Sequence, residues 1–120
     1  MRVLVGEDDR LQFELIRDLL ERHDHTAESA HDGERVLELA RRHRFDLLVL
    51  DLHLPKRDGL WVLHELRRDP ATRDYRVLAV SADVMPAVRQ EAEAIGVEGF
   101  LVKPLELEEF SRLVEAIGRG

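Results

Sequence analysis

Cysteine is absent from the 120 residues, so neither a disulfide nor a thiolate metal site is available to the chain. That absence fits a reducing compartment. Long apolar runs are missing too. None approaches the ~20 residues needed to span a bilayer, and Met1-Arg2 leads straight into a strand-like run instead of a signal-peptide core. The expected setting is the cytoplasm, with no membrane partner. Positive charge is in deficit: 18 Lys and Arg stand against 25 Asp and Glu, a formal net charge of −7. A nucleic-acid partner is not expected, because phosphate binding relies on clustered cations. The short clusters Arg41-Arg42-His43-Arg44 and Arg67-Arg68 read as solvated helix ends. What is present, 44% hydrophobic and 36% charged residues, suits a folded soluble chain and argues against disorder. The length fits one domain, 1–120, able to bury roughly two thirds of the surface its unfolded form exposes.

The chain has no linker, low-complexity tract or internal repeat. It alternates short apolar runs with stretches of helical period, which is the pattern of βαβ units and a parallel sheet. Strand-like runs are Arg2 to Gly6, the short and polar His25 to Ala30, a run ending at Asp51, Val77 to Val80, and Gly99 to Val102. The polar character of the second suggests a sheet edge. Between them lie five predicted helices. Leu11, Leu15, Ile16, Leu19 and Leu20 form the apolar stripe of the first, and Val36, Leu37, Leu39 and Ala40 that of the second. The third runs from Leu60 to Arg68, with Asp58 placed to cap its first turn. Pro86 and Gly96 bracket a fourth that is rich in alanine and charge and should pack loosely. Leu107, Phe110, Leu113, Val114 and Ile117 supply the inner face of the fifth, ending near Gly118.

Polar groups stand where four of the strands stop. Glu7-Asp8-Asp9 follows Gly6, Asp51 follows Leu47-Leu48-Val49-Leu50, Ser81 follows Val80, and Lys103 follows Val102. The carboxyl ends of parallel strands open into the crevice where α/β sheets bind their ligands, so the four tips point to one site. Their chemistry is complementary. A carboxylate such as Asp51 can attack phosphorus and form an acyl phosphate once the negative charge of both partners is neutralised. Two or three acids after strand 1 would hold Mg²⁺, which takes oxygen ligands. Lys103 would supply fixed positive charge, and Ser81 a hydroxyl donor to phosphoryl oxygens. Each has a plainer reading when taken alone: Glu7-Asp8-Asp9 as helix N-terminal acids, Asp51 as a turn residue, Ser81 as a loop hydroxyl, Lys103 as a solvated lysine. Their joint occurrence at successive strand tips favours the site.

With these residues the chain resembles the receiver domain of two-component response regulators, over essentially its whole length, from Arg2 to about Ile117. The resemblance rests on Val3-Leu4-Val5-Gly6-Glu7-Asp8-Asp9, on Asp46-Leu47-Leu48-Val49-Leu50-Asp51-Leu52-His53-Leu54-Pro55 with Asp58-Gly59, on Val80-Ser81-Ala82, and on Phe100-Leu101-Val102-Lys103-Pro104. It implies a doubly wound, flavodoxin-like α/β fold with five helices around a five-stranded parallel sheet of order 2-1-3-4-5. It further implies that Asp51 accepts a phosphoryl group from a histidine kinase or a histidine phosphotransfer protein. Glu7, Asp8, Asp51 and the backbone carbonyl of His53 would bind Mg²⁺, with Asp9 outside that set as a helix-start residue. Lys103 and Ser81 would complete the site, and Lys103-Pro104 becomes a candidate cis peptide. Such a chain is a phosphoacceptor switch rather than an enzyme acting on other molecules, catalysing only its own phosphoryl transfer and dephosphorylation. Ser81 and an aromatic on strand 5 would form the switch, relaying to a face built by helix 4, strand 5 and helix 5.

The chain departs from the family pattern in places. Phe100 stands where many members have tyrosine, leaving core packing as its alternative role. Gly6 occupies a position usually β-branched. His53, two residues beyond Asp51, is expected at the mouth of the site and is a candidate for setting the lifetime of the phosphoryl group. His23-Asp24-His25 does not have a zinc spacing, and its histidines read as surface loop residues. Trp61 reads as a packing residue. An aspartyl-nucleophile phosphatase of the haloacid-dehalogenase type would share the Asp, Ser, Lys and Mg²⁺ set, but it places its nucleophile on the first strand with a second acid where His53 stands here. A degenerate receiver acting only as a binding module would be expected to lack Asp51 or Lys103. No output module follows Gly120, so a downstream protein target is expected, with homodimerisation on phosphorylation left open. A free-standing receiver and a segment of a hybrid sensor kinase both remain open, the run Ser81-Ala82-Asp83-Val84-Met85-Pro86 resembling the latter.

Overall fold

The apolar runs and the helical stripes settle into a strictly alternating order. The computed structural model describes residues 1–83 and 85–120; Val84, inside the Ser81 to Pro86 run, lies outside the described residues. The strands are β1 (Arg2–Gly6), β2 (Thr26–Ala30), β3 (Leu47–Asp51), β4 (Val77–Ser81) and β5 (Gly99–Val102). The helices are α1 (Arg10–Glu21), α2 (Gly33–Arg42), α3 (Gly59–Arg68), α4 (Pro86–Ile95) and α5 (Leu107–Arg119). All strand pairs are parallel, and the sheet order is β2-β1-β3-β4-β5. This is the doubly wound arrangement expected. The chain reverses direction across the sheet between β1 and β3, and the crevice at that switch point opens beyond the strand carboxyl ends.

Burial follows from the alternation. β3 and β4 are buried at every residue, including Asp51 and Ser81, because helices cover both faces. One apolar layer joins Leu4, Leu48 and Leu50 to Val36, Leu63 and Leu66 of α2 and α3. The other joins Val3, Val5 and Val49 to Ile16 and Leu20 of α1 and Phe110 and Val114 of α5. β2, at the edge, is only partly buried, as its polarity suggested.

The helix termini follow their sequence signals. Asp9, Asp32 and Asp58 cap α1, α2 and α3, each accepting from backbone N–H groups of the first turn. α4 opens at Pro86 and is capped by Gly96 in the left-handed region, and Ala92 is its buried residue, in keeping with loose packing. α3 begins at Gly59, one residue before the expected Leu60, for a steric reason. A Cβ on Gly59 would lie 2.8 Å from the Asp51 carbonyl oxygen and 2.5 Å from Leu52 Cα. Glycine thus lets the start of α3 sit directly on the strand tip that carries Asp51. Gly6 also has a packing account: a Cβ there would stand 2.9 Å from Val36 Cγ2 and 3.0 Å from Leu50 Cδ1, so those side chains fill the space that a larger residue would need.

Three expected core residues are corrected. Leu11, Leu15 and Leu107 are 76%, 37% and 44% exposed. Periodicity placed them in the apolar stripes, but each precedes the residues where burial begins, Ile16 in α1 and Phe110 in α5. Arg67 departs from expectation in the opposite sense. It is not a solvated helix end: its guanidinium donates to the carbonyls of Arg73 at 2.9 Å, Tyr75 at 2.8 Å, Ile95 at 3.1 Å and Gly96 at 3.0 Å. One side chain thereby ties α3 to the loop before β4 and to the end of α4. His25 is not a loop-surface residue either. Its ring is 11% exposed, with Nε2 2.9 Å from Glu115 Oε1 and Nδ1 2.7 Å from the terminal amine.

Candidate functional site

The end of β1 delivers the first acid. Glu7 N–H donates to the Ala30 carbonyl at 3.0 Å, which carries the pairing with β2 one residue past Gly6 and turns the Glu7 side chain into the crevice, where it is 1% exposed. Asp8 follows and is exposed. Asp9 does not join the cluster. Its carboxylate caps α1 through Leu11 and Gln12 N–H, and its own N–H donates to Glu7 Oε2 at 3.1 Å.

β3 delivers Asp51. Leu52 N–H donates to the Val80 carbonyl at 2.9 Å and Gly59 N–H to the Leu52 carbonyl at 3.0 Å, so the strand is held past its last residue and the carboxylate is left 5% exposed at the crevice floor. Asp51 Oδ1 accepts from His53 N–H at 2.8 Å. From β5, Lys103 reaches across the sheet, and its Nζ lies 2.8 Å from both Asp51 Oδ2 and Glu7 Oε1. Lys103 N–H donates to the Ser81 carbonyl at 2.9 Å, and the Lys103-Pro104 peptide is cis, as the sequence suggested. From β4, Ser81 is fully buried, and its Oγ accepts from Asp83 N–H at 3.0 Å. That bond uses a lone pair and leaves the hydroxyl proton to donate elsewhere.

The electrostatics follow from burial and pairing. Burial pushes the Glu7 carboxyl above its ordinary value, further than its hydrogen bonds from Lys103 and Asp9 pull it down, and the neighbouring Asp51 charge adds to the rise. Burial disfavours the Lys103 ammonium, but the hydrogen bonds to Asp51 and Glu7 outweigh it, and the group is shifted upward, firmly cationic at neutral pH.

Glu7, Asp8 and Asp51 each offer an oxygen, all within 4.8 Å of one another. Carboxylate oxygens alone make a hard donor set that suits Mg²⁺ and gives a soft metal nothing to bind. The residues present therefore fit the ion.

His53, Phe100 and Trp61 keep their side chains out of that acidic cluster. The His53 side chain is exposed and leans towards the β4-α4 loop, with Nε2 3.9 Å from Asp83 Oδ2. Phe100 is half-buried beneath Arg89, whose guanidinium lies 5.3 Å from the ring centroid. Trp61 packs against the core, with the Arg57 guanidinium 4.9 Å above its ring. Asp83 and Arg89 are contributors that the sequence reading did not single out. The polar residue two positions past the Ser81 tip was the available signal for Asp83, whereas nothing local marks Arg89.

Comparison with known proteins agrees with this geometry. The family model described as response regulator receiver domain matches residues 3–115. The chain is 37% identical over 120 residues to the sensor histidine kinase AruS of Pseudomonas aeruginosa, an alignment that covers 98% of this chain and 12% of that protein's length. It is 32% identical over 114 residues to the polar-differentiation response regulator DivK of Brucella anthropi, covering 95% of this chain and 93% of DivK. Among solved structures, the receiver domain of the sensor histidine kinase PA1611 from Pseudomonas aeruginosa, which has a magnesium ion coordinated in its active site cleft, matches with a TM-score of 0.86 at 26% identity over 98% of this chain and 97% of that one. A putative response regulator from Chloroflexus aurantiacus shares the fold with a TM-score of 0.92 at 24% identity, covering 99% and 98%.

Proposed function

The chain belongs to the response regulator receiver domain family of two-component signalling, and from that premise we propose that Asp51 accepts a phosphoryl group from a phosphohistidine on a histidine kinase or histidine phosphotransfer protein. The observation that carries this reading is the nearly buried Asp51 carboxylate held 2.8 Å from Lys103 Nζ, with Glu7 and Asp8 beside it. A carboxylate so placed is oriented outward from the strand tip, and the oxygen that attacks phosphorus displaces the imidazole nitrogen as the P–N bond breaks. Lys103 balances charge on the phosphoryl oxygens.

Glu7, Asp8, Asp51 and the His53 carbonyl form the proposed Mg²⁺ ligand set. When bound, the ion would neutralise charge on the acceptor carboxylate and the incoming phosphoryl group. Ser81 donates its free hydroxyl proton to a phosphoryl oxygen. Where its side chain turns towards that oxygen it draws away from the Asp83 N–H, which loosens the β4-α4 loop. Phe100 and Arg89 then take up the change at α4 and β5, and the face built by α4, β5 and α5 meets a downstream protein target. Residues 1–120 act as one such receiver, a phosphoacceptor switch whose chemistry is limited to its own phosphorylation and dephosphorylation.

The test is intact mass after incubation with acetyl phosphate and Mg²⁺. A single phosphoryl adduct that requires Mg²⁺ and is absent from Asp51→Asn is expected. An adduct retained in Asp51→Asn overturns the assignment. No adduct despite Mg²⁺ binding favours a phosphorylation-independent binding module.

A further inference from the structure

β5 ends the sheet, and among the described residues no strand pairs with its outer edge. A cavity of 630 Å³ runs along that edge between α4 and α5. Every residue from Glu98 to Val102 lines it. Side chains of a strand alternate between faces, so a cavity lined by five consecutive residues is bounded by the strand's backbone edge rather than by one face. Val97, Phe100 and Leu113 supply apolar contacts within a lining that is otherwise largely polar.

Each wall also carries an acid: Glu93 on α4, Glu98 at the entrance to β5, and Glu109 on α5. Against these stand Arg89 and Arg112. Arg89 is already engaged, 3.5 Å from Glu93 and laid over the Phe100 ring. Glu98 and Glu109 have no ion-pair partner among the described residues. Arg112 is likewise unpaired among the described residues, so the lining keeps an excess of one negative charge, three acids against two cations, and a basic segment is favoured over an acidic one.

We infer that the free edge of β5 is a docking surface for an extended, basic segment of a partner protein, which adds to the sheet as a sixth strand. The inference rests on reading the face built by α4, β5 and α5 as the output surface, and it names the kind of partner that surface takes. Backbone hydrogen bonds supply the docking mode, with the apolar side chains of the segment turned to one face, against Phe100 beside α4, and the intervening cations to the other, towards Glu109 on α5, while Glu98 stands at the entrance to the edge. Four residues of β5 at ~3.3 Å each give about 13 Å of edge, enough for a short segment of similar length.

The experiment uses the full chain, labelled with ¹⁵N, and titrates it with acetyl-Lys-Val-Lys-Val-Lys-amide, its glutamate counterpart, and a counterpart N-methylated at alternate peptide nitrogens. The lysine peptide is expected to shift the amides of Gly99 to Val102 and to slow exchange at the outward-facing ones. The glutamate and N-methylated peptides should bind about tenfold more weakly. E98Q/E109Q, at two exposed positions, should remove most of the preference for lysine over glutamate. Equal binding of the lysine and glutamate peptides overturns the inference. So does equal binding of the N-methylated peptide, which would signify docking by side chains alone, and so does self-association of the chain through β5. Acetyl phosphate labelling of the same preparation separates the two readings. A chain that is labelled at Asp51 yet shows no lysine preference overturns this inference alone, and a lysine preference without labelling overturns the phosphoacceptor reading and leaves the docking edge standing.

Discussion

Lys103 Nζ stands 2.8 Å from Asp51 Oδ2 and the same distance from Glu7 Oε1, so one ammonium from the β5 tip holds carboxylates from the β1 and β3 tips. Removing it leaves two nearly buried carboxylates without a cation. Lys103→Met is expected to lower unfolding free energy by about 2 kcal/mol at pH 7. The pH dependence has a definite sign. Glu7 in the folded protein already lies above its unfolded value of 4.5, and losing Lys103 raises it further. The folded variant then binds a proton more readily than the unfolded chain, so its deficit shrinks as pH falls from 7 towards 5. Urea unfolding at the two pH values measures this.

Magnesium should stabilise the protein by mass action. At a hundredfold excess over its dissociation constant the gain is about 2.7 kcal/mol, provided the unfolded chain does not bind the ion. Asp8 is exposed and belongs to the acidic cluster, so Asp8→Asn should fold normally and lose most of that gain. Thermal unfolding with and without Mg²⁺ reads the difference.

Lys56 lies in the β3-α3 loop at φ +66, a left-handed conformation that a side chain disfavours. Its contact with Asp32 is 3.5 Å long and made by an ammonium end that is largely in solvent, so it contributes little in return. Lys56→Gly is therefore expected to raise stability by about 0.5–1 kcal/mol, a gain readable in the denaturation midpoint. A loss would show that the loop needs the lysine side chain.

Arg67→Ala removes four carbonyl partners from two segments at once. A loss of about 3 kcal/mol is expected, since hydrogen bonds to a charged donor are each worth about 1.5–3 kcal/mol and the carbonyls partly recover bonds to water. Hydrogen exchange should quicken at the end of α4 before it does so in β3.

His53 leans across the mouth of the site towards Asp83. If it obstructs or orients water there, His53→Ala changes the half-life of the phosphorylated protein. Equal half-lives for the variant and the parent would remove His53 from that role.

Much of this arrangement is legible in the sequence. The apolar runs before Glu7, Asp51 and Ser81 are buried strands, and burial on both faces is what makes each run continuous and its polar terminus conspicuous, whereas the run before Lys103 lies at the sheet edge and is only partly buried. The helix starts at Asp9 and Asp58 are legible because their partners lie within three residues. Contacts between distant segments are not legible. Arg67 looks like any basic helix end, but two of its carbonyl partners lie 28 and 29 residues away. His25 looks like a loop residue until α5 brings Glu115 beside it, 90 positions along the chain. Leu11, Leu15 and Leu107 share a period with buried neighbours, and the period does not say where along a helix the covering layer begins.

The central claim, an acyl phosphate on Asp51, is tested most directly by reducing the acetyl phosphate-treated protein with sodium borohydride and mapping its peptides. Borohydride converts an aspartyl phosphate to homoserine and leaves a free carboxylate unchanged. Homoserine at position 51, dependent on Mg²⁺ and with Glu7 and Asp8 unaltered, is the expected result. An unmodified position 51, or homoserine at another aspartate, would contradict the account.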